Sequence, residues 1–476
     1  MSFRMGTFCT SSSMSNRSLL KAGAAAAALL ASPALAQEHD HSKMDMPGMD
    51  MPSQNSENDG PKTVSTQSSH RSNIGRWTSA AWCCEVTYPN GETVDYDGIA
   101  YAKFHEGSGT ARLPGQDSAM PGQHIMSGDW MFMLHGAVSG LYTKATGPRG
   151  DDKVYATSMA MLMAERETGW GRVQFKSMFS LEPAMDAAGY PNLFATGEEA
   201  HGLPIVDRQH PHDLFMELTA RMDINAGDGS LFLYGGPVGE PALGPSAFMH
   251  RGSAQYNPEP PITHHWFDST HITYGVVTAG YAARTWQIEA SAFRGQEPDE
   301  HRWNIETPKL NSWSVRATLN PSPEWALQAS YGHLKQPEAG HPGEDENRFT
   351  TSAHFANGKG LSAMLAFSAK SRVPGDTLTA FLGEVNWDID QHNTLFGRAE
   401  NVSNDELFPA ATHPLHDTAF RVSKFQIGYA RRIAMGPFEL ALGGSVAAYA
   451  KPAALTPYYG SNPMQYTLFA KLILGN

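Results

Sequence analysis

The sequence predicts an all-β fold, an antiparallel transmembrane β-barrel of about 16 strands preceded by a signal peptide and a disordered tail. Three observations lead to this prediction. Short segments across the last two-thirds of the chain alternate apolar and polar residues, and most end in a Gly, Pro, Asn or Asp turn. An export signal precedes these segments. No apolar stretch is long enough to span a bilayer as a helix, so the alternating pattern indicates a closed barrel.

Residues 312–319 illustrate the alternation. Trp313 and Val315 fall on one face of the strand, and Ser314 and Arg316 fall on the other. In a barrel the apolar face meets lipid and the polar face lines the lumen. A soluble β-sandwich or propeller would show the same period of two, so the alternation alone leaves that alternative open.

Candidate strands follow one another from Trp130 to the end of the chain. Tight turns such as Asn357-Gly358 join the later strands as hairpins, and longer polar segments such as 295–310 are expected to form loops at the other rim. The predicted strands lie near 130–142, 154–164, 170–180, 213–224, 230–236, 270–280, 283–294, 311–320, 324–334, 348–356, 361–370, 377–389, 394–402, 421–430, 437–449 and 465–474.

Residues 1–36 have the features of a secretory signal peptide. A basic region at Arg17 precedes the apolar run 22–30, and small residues precede the expected cleavage after Ala36. Met14 is a candidate for the true start. Export of a barrel protein of this kind predicts the outer membrane of a Gram-negative bacterium, with outer-membrane lipid as a partner.

Three further regions follow the signal peptide. Residues 37–75 form a polar tail that we expect to be disordered, 76–128 a small periplasmic segment with a hairpin, and 129–476 the barrel. The adjacent Cys83 and Cys84 are unsuited to a mutual disulfide because bridging neighbours causes strain. Buried thiols and a soft-metal thiolate site both remain open for them.

Composition excludes two classes of protein. Only 41% of the 476 residues are hydrophobic, too few for a helical membrane protein. The net charge of −13 argues against a nucleic-acid partner, which would favour a basic surface.

The tail contains the first candidate metal site. Thioethers are soft ligands that suit Cu(I), and imidazoles accept Cu(II) or Cu(I), so a flexible Met/His tract predicts copper capture. Without apolar neighbours these methionines have no core to fill, although an unstructured spacer of accidental composition is the alternative. The residues concerned are His39, His41, Met44, Met46, Met49 and Met51.

Two segments of the barrel region contain the second candidate metal site. Both combine histidines with aspartates, and they flank the Gly/Pro-rich stretch 235–261, which is long enough to predict a loop folded inward as a constriction or lid. The alternative is a structural hydrogen-bond network, because the spacing matches no closed zinc motif. The candidate ligands are His210, His212, Asp213, His264, His265, Asp268 and His271.

Several segments resemble a family of poorly characterised proteobacterial outer-membrane β-barrel proteins, often encoded near copper-resistance and metal-efflux genes. The resemblance covers roughly residues 128–474 and implies the barrel and its location. Separately, the Met/His tail resembles the N-terminal tract of copper resistance protein B, whose barrel the present chain does not match. The segments that carry the family resemblance are 129–135, 180–184, 203–218, 234–250 and 264–271.

Together these features predict a non-enzymatic outer-membrane barrel in copper or heavy-metal tolerance. The tail would bind metal, the barrel would act as a conduit or sequestering wall, and periplasmic copper-handling proteins would be partners. A general diffusion porin or small-solute channel is the alternative, and a lipid hydrolase using Ser269 and His271 is a third. Mixed charges on the polar faces predict a hydrated lumen, at Arg172, Lys176, Glu289, Arg316, Glu384, Arg398 and Glu400.

Overall fold

A computed structural model describes residues 85–87, 93–95, 104–117 and 121–475, the first two ranges as backbone. Within this part of the chain, no helix is long and apolar enough to cross a membrane. The strands are β1 (Glu85–Thr87), β2 (Thr93–Asp95), β3 (Phe104–Glu106), β4 (Arg112–Pro114), β5 (Gln123–Ser127), β6 (Trp130–Ala145), β7 (Asp152–Thr168), β8 (Gly171–Phe179), β9 (Tyr190–Ala200), β10 (Leu203–Gln209), β11 (Phe215–Ala226), β12 (Gly229–Gly239), β13 (Thr273–Ala283), β14 (Trp286–Phe293), β15 (Ser312–Leu319), β16 (Trp325–Leu334), β17 (Asp345–Ala356), β18 (Leu361–Val373), β19 (Thr377–Asp388), β20 (Asn393–Asn404), β21 (Phe420–Met435), β22 (Phe438–Ala450) and β23 (Met464–Leu474). The helices are α1 (His264–Phe267) and α2 (Thr456–Tyr459), and 3₁₀ turns cover Glu182–Ala184, Phe248–His250, Gly252–Ala254, Ser269–His271 and Ala453–Leu455.

Sixteen long strands, β6–β8 and β11–β23, form a closed antiparallel barrel. Each strand pairs with its neighbours along the chain, β8 pairs with β11, and β23 pairs with β6 to close the wall. The predicted barrel is therefore confirmed. The predicted signal peptide and tail lie outside the described residues.

The two rims of the barrel differ. One rim has short turns, such as 169–170, 227–228 and 436–437, and we call it the tight-turn rim. The other, the long-loop rim, has long connections that include 180–214 and 240–272.

Side chains along the wall alternate as lipid outside requires. On β15, Trp313 and Val315 are exposed, whereas Ser314 and Arg316 are buried inside the barrel. Exposed aromatic residues form a girdle near each rim, as in outer-membrane barrels. They are Trp170, Trp286, Trp325 and Trp387 near the tight-turn rim, and Tyr142, Trp313, Tyr331, Phe349 and Tyr466 near the long-loop rim. The apolar belt between the girdles identifies the chain as an outer-membrane barrel.

Ile427 tests this orientation, because it lies near the middle of β21 with 61% of its surface exposed. We expect Ile427→Arg to destabilise the barrel in lipid vesicles by about 2–4 kcal/mol, since a guanidinium at the bilayer midplane loses its hydration. Urea unfolding in vesicles measures the change, with Ile427→Leu as the control. Equal stabilities of the two variants would mean that β21 does not face lipid there.

The loop between β12 and β13, residues 240–272, folds into the barrel, and we call it the inner loop. The sequence predicts that residues 235–261 fold inward, and the structure agrees for the part of this stretch that belongs to the inner loop. It hydrogen-bonds to each of ten consecutive wall strands, so it is braced on most sides of the lumen. The contacts are Ala242 with Ser291 on β14, Gly244 with Arg316 on β15 and Ser330 on β16, Ser269 with Arg348 on β17, Trp266 with Ser368 on β18, Arg251 with Glu384 on β19, Thr263 with Glu400 on β20, Asn257 with Gln426 on β21, Tyr256 with Glu439 on β22, and Glu259 with Gln465 on β23.

Residues 104–117 also lie inside the barrel, which corrects their assignment to a periplasmic segment. Thr110 donates to the Glu289 carboxylate on β14 at 2.5 Å, and Arg172 on β8 donates to Glu106 at 2.6 Å. Few of these residues alternate in polarity, so the sequence carries no sign that they enter the lumen. The backbone of β1 and β2 forms an antiparallel pair, in agreement with the predicted hairpin.

The charged residues expected in a hydrated lumen do face inward, but they are buried, and most of them form ion pairs. Arg316 binds Glu289 at 2.9 Å, and Glu384 accepts from Arg398 at 2.8 Å. Protein groups therefore surround these charges in the described part of the lumen.

Candidate functional site

Five predicted histidines meet inside the barrel, and we call them together the histidine site. His210 and His212 follow β10, while His264 and His265 lie on α1 and His271 lies on the adjoining 3₁₀ turn. Pro211 disfavours helical backbone at His210 and keeps this segment extended, so it reaches into the lumen. All five rings are at most 5% exposed.

The closest part of the histidine site consists of His210, His264 and His265. One ring nitrogen from each lies within 4.8 Å of the others. A tetrahedral centre with metal–nitrogen bonds of about 2.0–2.1 Å holds ligand nitrogens about 3.3–3.4 Å apart, so the rings would need to move by about 1 Å to share a cation. His271 and His212 extend the group. The ring centroid of His271 lies 5.1 Å from that of His264, and the ring centroid of His212 lies 5.5 Å from that of His271.

Most of these rings are held by a contact at Nδ1. The Nδ1 atoms of His264 and His265 lie 2.8 Å from Asp268 and 2.7 Å from Glu297 carboxylate oxygens. His212 meets the Glu182 carboxylate at 2.9 Å, and His271 donates to the Asp268 carbonyl at 2.7 Å.

The opposite ring nitrogen has a different environment. Within the described part of the chain, the buried Nε2 atoms of His210, His212, His265 and His271 have no hydrogen-bond partner. An unpaired buried nitrogen is costly, whereas a ring held at Nδ1 with Nε2 available is the usual arrangement of a metal ligand.

The electrostatics of the rings are not uniform. Burial and the Arg302 guanidinium hold the pKa of His210 well below its usual value, and burial does the same for the pKa of His271. Burial also lowers the pKa of His265, but the adjacent Glu297 carboxylate outweighs it and raises that pKa to about 9. The low pKa values leave His210 and His271 with a nitrogen lone pair near neutral pH, whereas His265 has to release a proton before its ring can bind a cation.

The two predicted aspartates lie beside the histidines but bind arginines. Asp213 meets Arg302 at 3.3 Å, and Asp268 meets Arg251 at 3.1 Å while also holding His264. Their carboxylates are therefore engaged, and they serve to orient the site.

Sequence reasoning missed several residues that complete the site. Glu182 and Glu198 come from the connection 180–214, and Glu297 and Arg302 come from the loop between β14 and β15. No spacing in the sequence links them to the histidines. The predicted tail ligands His39, His41, Met44, Met46, Met49 and Met51, together with Cys83 and Cys84, lie outside the described residues.

A second group of potential ligands, Glu338, His341 and Glu406, lies at the long-loop rim. Both carboxylates are bound by Arg372, and Glu338 also binds Lys370. These contacts make the group an ion-pair network that fastens two loops.

The hydrolase alternative lacks the geometry of a triad. Ser269 Oγ accepts from Arg348 at 2.9 Å, and His271 Nδ1 faces a backbone carbonyl instead of a carboxylate. A nucleophile needs its base within hydrogen-bond reach, and these two side chains are engaged elsewhere.

Comparisons with known proteins identify solved structures of similar fold but no family. No protein-family model and no curated protein matches the chain. Solved structures with a similar fold include OmpF of Salmonella typhi in complex with daunomycin, at 8% identity over 74% of this chain and 100% of that chain, with a TM-score of 0.48. An anion-selective porin from Comamonas acidovorans has 10% identity over 72% and 100% of the two chains, with a TM-score of 0.48. The outer membrane channel DcaP of Acinetobacter baumannii has 12% identity over 74% and 99%, with a TM-score of 0.44.

Proposed function

We propose that this protein is an outer-membrane channel whose lumen is closed by its inner loop at the histidine site, which binds a transition-metal cation. One observation carries the proposal: five buried imidazoles converge, most are fixed at Nδ1, and four have an unpartnered Nε2. Imidazole ligands suit Zn(II), Cu(II) and Ni(II). The carboxylates around the site supply the negative charge that balances a divalent cation.

The arrangement differs from that of a purely structural network. A structural network satisfies its buried donors and acceptors, because each unsatisfied group costs about 1–3 kcal/mol. Here the contacts are made on one side of each ring, and the unsatisfied nitrogens are those of His210, His212, His265 and His271. A bound cation would remove this cost.

A general diffusion porin is the second candidate. The observation in its favour is the wall itself, a wide barrel of 16 strands with long loops at one rim. The inner loop argues against a diffusion porin, because it lies inside the lumen and hydrogen-bonds to ten wall strands. The expected role in copper tolerance remains a prediction, since it rests on the tail and on resemblance.

Metal titration and conductance measurements separate the candidates. The measurements use a full-length variant without the tail ligands. It carries Gln at positions 39 and 41 and Leu at positions 44, 46, 49 and 51. We expect it to bind about one Ni(II) per chain by calorimetry, because the histidine site offers one set of clustered imidazoles. In planar bilayers the protein should be closed at rest. Steady large conductance without Ni(II) binding would instead establish a diffusion porin and refute the proposal.

A further inference from the structure

Eight methionines gather on one sector of the lumen, and we call them the methionine cluster. Most of them are buried side chains of β6, β7, β8 and β11, and one comes from the inner loop. They pack with Val238, Ile272 and Tyr274. The members are Met131, Met133, Met159, Met161, Met163, Met178, Met216 and Met249.

This concentration is unusual for the interior of the molecule. The chain has 22 methionines, and eight are in this cluster. The other three hydrophobic clusters of the described residues contain two methionines on the same basis, the buried Met364 and the partly buried Met185. Elsewhere the inward faces of the wall mix Arg, Glu, Ser and Thr with Leu, Val, Phe and Tyr, so this sector is distinguished by methionine as its main apolar residue.

Strand register brings the sulfurs together. Met133 on β6 lies opposite Met163 on β7, and Met161 lies opposite Met178 on β8. Directly opposed residues have Cβ atoms about 4.5–5.5 Å apart, and flexible thioether side chains span that distance easily. His135 is the cross-strand partner of Met161 on the other side and adds an imidazole to the row.

The cluster extends from the tight-turn rim to the histidine site. Met131 and Met133 lie near the start of β6 at that rim, and Met216 follows His212 by four residues. A cavity of about 100 Å³ joins the two groups, lined by His135, Met159, Glu182, His212 and Met249 among others.

We propose that the methionine cluster binds a soft monovalent cation, Cu(I) or Ag(I), and leads it between the histidine site and the tight-turn rim. The inference rests on the proposed function, because it takes the histidine site as the other end of the path. Neutral thioethers favour soft cations over Zn(II) or Ni(II), and a series of weak, adjacent sites allows an ion to move on. No change of oxidation state is involved, because imidazoles accept Cu(I) as well as divalent cations and the cation stays monovalent along the path.

Silver is the probe, since Ag(I) is soft and redox-inert. In the full-length protein without tail ligands and with Cys9, Cys83 and Cys84 replaced by serine, no thiolate competes for the metal, and we expect X-ray absorption of bound Ag(I) to show sulfur neighbours. The triple variant Met161→Leu, Met163→Leu, Met178→Leu should reduce Ag(I) affinity about ten-fold or more. Loss of a group that only supports a metal ligand already lowers metal affinity by about 10–100-fold, and here the ligands themselves are lost. Leucine conserves volume, so the fold should persist. The matched control is Met364→Leu, which changes a buried methionine outside the cluster.

The possible outcomes distinguish failure of the methionine cluster from failure of the histidine site. Lost Ag(I) binding with unchanged Ni(II) binding in the triple variant supports the methionine cluster. Equal Ag(I) affinity in the triple variant and in Met364→Leu, with Ni(II) still bound, overturns the cluster and leaves the histidine site intact. Failure of both metals to bind the parent protein overturns both proposals.

Discussion

Replacing Arg251 by methionine is expected to destabilise the barrel by about 3–5 kcal/mol, because a buried ion pair then loses one partner. Arg251 is 1% exposed, binds Glu384 through two nitrogens at 2.9 and 3.1 Å, and binds Asp268 at 3.1 Å. Its loss removes the ion pair that fastens the inner loop to β19 and leaves only weaker contacts there, such as the hydrogen bond from Ser253 to Glu384 at 3.3 Å. The variant should therefore also conduct ions in planar bilayers. Urea unfolding in vesicles and single-channel recording measure the two effects.

Two controls isolate the role of Arg251. Arg166→Met removes a half-exposed arginine paired with exposed Asp129, and such surface pairs contribute only about 0–1 kcal/mol. Ile427→Arg destabilises the barrel from its lipid face and should leave conductance unchanged. Full stability and a closed lumen in Arg251→Met would show that this arginine does not hold the loop.

The second large effect concerns the histidine site. Changing His210, His264 and His265 together to glutamine should lower Ni(II) affinity by more than about 100-fold, since three ligands are lost where loss of one supporting partner costs 10–100-fold. The amide can still donate to Glu297 and Asp268, so the local hydrogen bonds are kept. Calorimetry in the background without tail ligands provides the measurement.

The matched control is His354→Gln, which replaces a buried histidine of β17 outside the site. Its Ni(II) affinity should equal that of the parent. Retained nanomolar or micromolar binding in the triple variant would place the cation elsewhere in the chain.

The wall could be predicted from the sequence because lipid and lumen impose opposite demands on alternate residues. All 16 predicted segments correspond to barrel strands, with ends that shift by a few residues. Segment 104–117 and the β9–β10 hairpin could not be predicted, because both are enclosed by protein on several sides and their polarity does not alternate.

The site was only half predictable. The residue types at 210–213 and 264–271 indicate metal chemistry, but their meeting depends on contacts across more than 50 residues of chain. The methionine cluster could not be predicted from the sequence for another reason. On β7, inward Met159 and Met161 alternate with outward Ala160 and Leu162, so both faces are apolar and the pattern does not reveal which one lines the lumen.

The position of Arg251 in the chain also constrains biogenesis. Its partner Glu384 lies 133 residues downstream, and other anchors of the same segment lie on the last three strands. These docking points exist only after the C-terminal hairpins have been inserted. Assembly intermediates are therefore expected to pass ions freely, and sealing should coincide with the final step of membrane insertion.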